Sequence, residues 1–161
     1  MYIRKEYFGP SFKIWATIST GLVAGGALYI SLVEAPSRIK HQPSIAAEIF
    51  HTSTPKARKI IGSLNAAAIF CSIGAYFCTP RRSDSAVEWL LAGSMLIVTM
   101  PISKYFLAPI NEDLMDVDRC NKRGENRIVN RLGDWNKCHG VRTMFNLVAF
   151  SYMVYLLAQR K

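Results

Sequence analysis

Acidic side chains are scarce in this chain: 11 Asp and Glu stand against 20 Lys and Arg in 161 residues, a formal net charge of +9. Half of the residues are hydrophobic, and charge of either sign is nearly missing from four long windows. A soluble four-helix bundle needs a polar outer stripe on every helix, and the run from Leu90 to Pro101, LLAGSMLIVTMP, has nowhere to put one. Histidine is limited to His41, His51 and His139, which form no ligand-spaced set with any cysteine or carboxylate, so no metal site is expected. There is no GxGxxG and no second histidine in a spanning window, which leaves nicotinamide, flavin and haem without a motif; no cofactor is expected. No low-complexity segment or internal repeat occurs, and few polar residues fall at mid-depth, which disfavours a transporter or channel. The basic excess is split between two faces beside helix ends, where anionic headgroups lie, so a lipid bilayer rather than nucleic acid accounts for it.

What is present is a set of four apolar windows, at about residues 12–33, 60–79, 86–108 and 139–158. Each is about 20 residues long, enough to cross a hydrocarbon core of roughly 30 Å. The expected fold is all-α: one integral-membrane, multi-pass, four-helix bundle, up-down-up-down, forming a single domain over residues 1–161. Lys13, Glu88, Lys104 and Arg142 are the charges that touch the windows, near their ends, where Lys and Arg can snorkel. Arg4, Lys5 and Lys13 precede the first window as in a secretory signal, but about 22 apolar residues exceed a signal core and Glu34-Ala35-Pro36 lacks a clear cleavage site, so a retained anchor is expected. The two longer loops carry more Lys and Arg than the two ends and the Pro80–Ser85 loop, which by a plain count puts those longer loops in the cytoplasm and both termini outside. The longer loops also hold most of the acidic residues and both faces are basic, so the count leaves the orientation open.

The short Pro80–Ser85 loop makes the second and third helices antiparallel neighbours. Between Glu34 and Lys59, Pro36, Pro43 and Pro55 predict a loop, with a short interfacial helix over Ser44–His51 capped by Ser44. The segment Glu125–Lys137 reads as helical, so the last helix is expected to begin outside the apolar window and run inward. Gly21 and Gly25 form GxxxG, read first as packing inside the bundle and second as a face for another copy or another membrane protein. Cys71 and Cys78 are seven residues apart on one helix, too distant for a disulfide, and read as small buried thiols. Cys120 and Cys138 could close a disulfide only in an oxidising compartment; a cytoplasmic loop keeps them reduced.

The antiparallel order brings one end of all four helices to the same membrane side, and the unusual polar residues gather there. Glu34 closes the first helix, Lys59 and Asn65 open the second, Lys104 and Asn111 close the third. Trp135, His139, Arg142 and Asn146 open the fourth at i, i+4, i+7 and i+11, one stripe extending roughly 16 Å along a helix. At the opposite end Glu88 and Trp89 suit an interfacial anchor. Each polar residue has an ordinary explanation: Arg142 pairing with Glu34 or snorkelling, Trp135 in the aromatic belt, Asn111 ending a helix. Together they mark a pocket.

The segments GLVAGGALYISLVEAP (Gly21–Pro36), APIN (Ala108–Asn111) and WNKCHGVRTMFNLVAF (Trp135–Phe150) resemble the anthrone oxygenase family of four-helix membrane proteins. The most specific part is P-x-N followed by W-x-x-x-H-x-x-R, here Pro109, Asn111, Trp135, His139 and Arg142; Phe50–Lys59 departs from the family's pattern of an aromatic and a basic-glycine pair. The resemblance implies oxidation of an anthrone-like or quinol-like aromatic to a quinone, with molecular oxygen as co-substrate and no cofactor. On that chemistry His139 is the base and Arg142 the anion holder, with Asn111 as a neutral donor. Trp135 gives a flat surface for a hydrophobic aromatic ligand, and Asn146, Asn65 and Glu34 complete the binding set. The competing reading is non-catalytic: a small subunit of a larger membrane assembly, or a protein that binds a lipid or quinone.

Overall fold

The computed structural model describes residues 3–79, 85–116, 122 and 124–159. The first spanning helix is α1 (Ile3–Tyr29), a widened π-turn (Ile30–Glu34) and α2 (Ala35–Ile39); the second is α3 (Pro43–Cys78). The third is α4 (Ser85–Ile102), a second π-turn (Ser103–Leu107) and α5 (Ala108–Met115); the fourth is α6 (Glu125–Ala158). Among the described residues, four helices are long and apolar enough to cross a membrane: Phe8–Ile39, Pro43–Cys78, Ala86–Met115 and Glu125–Ala158. The expected all-α bundle of four spanning helices is therefore present.

The segment between Glu34 and Lys59 differs from expectation. Helix continues through Ile39, and α3 starts at Pro43, so Ser44–His51 is the first part of a 36-residue helix with Gln42 as its N-cap, not a separate interfacial helix capped by Ser44. Pro43 occupies the first helical turn, where its missing N–H leaves nothing unsatisfied, and Pro55 is accommodated inside the helix. Thirty-six residues extend about 54 Å, well beyond a hydrocarbon core. The early turns of α3 and α6 therefore project past the membrane on one side; α6 begins at Glu125, in agreement with its helical sequence pattern.

Both π-turns close on an Ala-Pro step. Ala35 N–H bonds Ile30 O, and Ala108 N–H bonds Ser103 O, each five residues back. Pro36 and Pro109 follow, and a proline ring inside a regular helix collides with the carbonyl four residues earlier. One extra residue in the turn relieves that collision and rotates everything beyond it by about 100°.

The four spans form a square in which α1 packs on α3 and α6, and α4 packs on α3 and α6. Two apolar clusters fill the interior. One, with Phe50, Ile61, Leu107, Leu114 and Trp135, lies where the helix extensions meet. The other is built largely from small residues, Ala16, Ala68, Ala75, Ala92 and Ala149, around Trp89, Leu96 and Met153. Small side chains let the backbones approach. Outside, Trp15, Leu22, Leu32, Ile60, Phe70, Phe77, Tyr105 and Met144 are each more than half exposed, an apolar coat suited to lipid.

Trp89 is not an interfacial anchor: it is 1% exposed inside the second cluster, with Lys13 Nζ 5.8 Å from its ring centroid. The GxxxG pair is split. A Cβ on Gly21 would lie 2.7 Å from Phe150 Cε2, whereas Gly25 has nothing within 4 Å and takes no part in internal packing. Cys71 and Cys78 are half-buried free thiols, Cys138 is also free, and Cys120 lies outside the described residues. A Cβ on Gly93 would meet Ser72 Cβ at 2.8 Å, an atom fixed to the α3 backbone. Gly93→Ala should cost about 1–3 kcal/mol through overpacking, whereas Gly25→Ala should stay within about 0.5 kcal/mol; thermal unfolding in detergent measures both.

Candidate functional site

A cavity of about 360 Å3 opens among the four spans at the end where the polar residues gather. The first π-turn and α2 contribute Ile30, Glu34 and Arg38; α3 contributes Thr54, Ala57, Arg58, Ile61, Gly62 and Asn65. Thr99 and Met100 come from α4, Ser103, Lys104 and Leu107 from the second π-turn, Ala108 and Asn111 from α5, and Trp135, His139 and Arg142 from α6. Both widened turns thus shape the cavity wall. A second, wider cavity shares Thr54, Arg58, Ala108 and Asn111 with the first and continues to His51, Glu112 and Asp116. It forms a polar vestibule on the side of the helix extensions.

Trp135 and His139 stack, ring centroids 4.6 Å apart and planes 16° from parallel. Trp135 Nε1–H donates to Asn111 Oδ1 at 2.8 Å, and Phe50 meets its ring edge-to-face at 5.3 Å. His139 is 3% exposed; its Nδ1 lies 2.9 Å from Ser31 Oγ, and Ser31 Oγ lies 3.0 Å from Thr143 Oγ1. Asp113 binds Arg127 and Arg131 at 3.1 Å each, tying α5 to the start of α6 beside the site.

Glu34 pairs with Arg38, four residues along, and not with Arg142. Arg38 is 3% exposed, its guanidinium carbon 5.1 Å from the Phe50 centroid and 5.8 Å from that of Trp135. Arg142 donates from Nη1 to Ser103 Oγ at 3.3 Å, while its Nε is buried without a partner. Among the described residues four cations, Arg38, Arg58, Lys104 and Arg142, line the cavity with one carboxylate, Glu34, already engaged by Arg38. The cavity is therefore electropositive and suited to an anionic or strongly polarised oxygen.

The structure brings Glu34, Asn65, Asn111, Trp135, His139 and Arg142 into the wall of one cavity, from all four spans. Asn65 Oδ1 is buried there without a partner. Asn146 is not part of that wall: it is wholly buried deeper in the bundle, with Oδ1 and Nδ2 both unpartnered. Sequence reasoning misses Arg38, Phe50, Ser31 and Thr143. For Arg38 a signal exists, the i, i+4 acid-base spacing from Glu34; for Ser31 and Thr143 the only sign is a hydroxyl in an apolar run. Among the described residues no group of three His, Cys, Asp or Glu could hold a metal ion.

Removing one partner of a largely buried pair strands the other charge. Arg38→Met should cost about 3–5 kcal/mol, and Glu34→Gln added to it should restore part of that. Arg58→Met, at an exposed rim position, should change stability by less than about 0.5 kcal/mol. Thermal melting of these variants beside the wild type distinguishes the pair from the rim.

No curated protein and no solved structure matches the chain. The family model for anthrone oxygenase matches residues 50–152. The match leaves out the first spanning helix, including Ser31, Glu34 and Arg38, and it includes the Phe50–Lys59 stretch that departs from the expected pattern. Within it fall Phe50, Asn65, Asn111, Trp135, His139 and Arg142, residues that the fold places in or against one electropositive cavity, and over this span, well more than half its length, the chain belongs to the anthrone oxygenase family.

Proposed function

We propose that this protein oxidises a flat, anthrone-like aromatic to the corresponding quinone with molecular oxygen, inside the membrane cavity lined by Trp135, His139 and Arg142. The observation that carries the reading is the juxtaposition of an aromatic face, an imidazole and a guanidinium with no carboxylate of its own in one buried pocket. The family name supports it.

An anthrone carries a methylene between two aryl rings, para to a carbonyl across the central ring, so removing one proton yields a delocalised enolate. His139 takes that proton. Arg142 and the Asn111 side chain face the developing oxyanion, and Trp135 provides a stacking surface. The enolate gives one electron to oxygen; the resulting radical and superoxide combine to a peroxide anion, which takes the proton back from His139. Loss of the second methylene hydrogen, as a proton to His139, expels hydroxide as the O–O bond breaks and the new C=O forms. Protonating that hydroxide yields water. The balance is anthrone plus O2 to anthraquinone plus H2O, with both oxygen atoms and all electrons accounted for, and it calls on no group beyond these side chains.

A second reading, a non-catalytic site for a lipid or quinone, is favoured by the exposed Arg58 and Lys104 at the rim. Oxygen uptake and quinone formation with a simple anthrone, on detergent-solubilised protein, separate the two. Turnover above the spontaneous rate, falling by about 10²–10⁴ in His139→Ala and by about 10² or more in Arg142→Met, is expected. Quinone binding without uptake would leave the binding reading in place.

A further inference from the structure

His139 sits at the inner end of a short chain of hydroxyls, and that chain has only one consistent direction. Thr143 Oγ1 lies 2.9 Å from the His139 carbonyl oxygen and 3.4 Å from the Ala27 carbonyl oxygen. Carbonyl oxygens only accept, so the single Thr143 hydroxyl hydrogen must point at them; turned elsewhere, its lone pairs would face theirs. Thr143 then meets Ser31, 3.0 Å away, as an acceptor. Ser31 gives its own hydrogen to Thr143 and can only accept from its remaining neighbour, His139 Nδ1, at 2.9 Å. Nδ1 therefore carries the ring hydrogen. Ser31 and Thr143 are not part of the cavity wall, whereas His139 is, so the nitrogen left for the cavity is Nε2, with its lone pair free.

We infer that Ser31 and Thr143 are positioning residues that hold His139 as the Nδ1–H tautomer, presenting an unprotonated Nε2 to the molecule in the cavity. The chain also has no exit. It ends on two backbone carbonyls, which cannot pass a proton on, so a proton taken by Nε2 leaves only on the cavity side, where the bound molecule or its product is the nearest acceptor. For the kinetic consequence this rests on the oxygenase reading: the proton removed from the methylene is handed back to the peroxide, and the second one to the departing hydroxide. The tautomer itself does not depend on that reading. It also sets the class of ligand, one that offers an acidic hydrogen to Nε2 rather than an acceptor.

Three histidines make the test tractable. Long-range proton–nitrogen correlation on protein labelled with 15N-histidine, in detergent, distinguishes protonated from unprotonated ring nitrogens, and His139→Gln assigns the signal by its loss. The expected wild-type spectrum shows Nδ1 protonated and Nε2 bare. In Thr143→Val the Ser31 hydroxyl loses its acceptor and turns to donate to Nδ1, so the Nε2–H form should become the major one, while Thr143→Ser keeps the native form. An Nε2–H tautomer in the wild type overturns the inference, and so does an unchanged tautomer in folded Thr143→Val. If that variant fails to fold, the wild-type spectrum still decides. In turnover, Thr143→Val should lower kcat about tenfold or more with KM within about twofold, and Thr143→Ser should restore it. The native tautomer in a protein that takes up no oxygen with an anthrone would uphold this inference and overturn the oxygenase reading.

Discussion

The site depends on how Trp135 is held. Its ring is engaged by a residue from each other span: Arg38 over its face from the first, Phe50 against it from the second, Asn111 accepting its Nε1–H from the third. On its own helix it stacks with His139. A tryptophan gripped this way fixes the relative depth of all four helices, because sliding any one of them by a turn would break its contact. In a membrane that registration matters more than in water, since apolar burial between helices gives little driving force and packing with specific polar contacts has to set the arrangement. The two π-turns serve the same end, reorienting the first and third helices so that Arg38 and Asn111 reach the ring.

The polar groups near that ring divide into those that are satisfied and those that are not. Arg38 Nη2, Glu34 and Ser53 bond one another, although Arg38 Nε is left over; Asp113 joins Arg127 and Arg131. Arg142 Nε and Asn65 Oδ1 are buried beside the cavity and unmatched. Buried polar atoms normally find partners, so unmatched ones on a cavity wall are where the polar atoms of the proposed ligand would fit. The Asn146 amide is equally unmatched at a depth the cavity does not reach, and nothing in the packing around it explains why.

Much of this architecture is legible in the amino-acid sequence. Apolar length gives four spans, and the i, i+4, i+7 spacing of Trp135, His139 and Arg142 places them on one stripe that does line the cavity. The errors have a common physical source. Pro36, Pro43 and Pro55 read as breakers, yet a proline can open a helix or follow a widened turn, and α3 runs unbroken through Pro55. With that stretch taken for a loop, Arg38 looks like a solvent-side charge instead of a buried member of the site. Residue type alone assigns Trp89 to the membrane interface, but whether an aromatic faces lipid or core depends on helix rotation, which hydropathy does not encode. For Gly21 and Gly25 the spacing is right and only one of them packs, because a helix shows a given partner one face. Ser31 and Thr143 carry no local signature, since their role exists only once two helices meet.

The most direct test of the central claim, that Trp135, His139 and Arg142 enclose a site for a flat aromatic with an acidic oxygen, is equilibrium binding of a hydroxyanthraquinone, followed by its visible absorption. A phenol facing Arg142 in a low-dielectric pocket is polarised towards its anion, so the bound dye should shift to longer wavelength. The account predicts saturable binding with that shift, and loss of the shift in Arg142→Met with binding weakened in Trp135→Ala. Absence of saturable binding, or an identical shift in Arg142→Met, would contradict it.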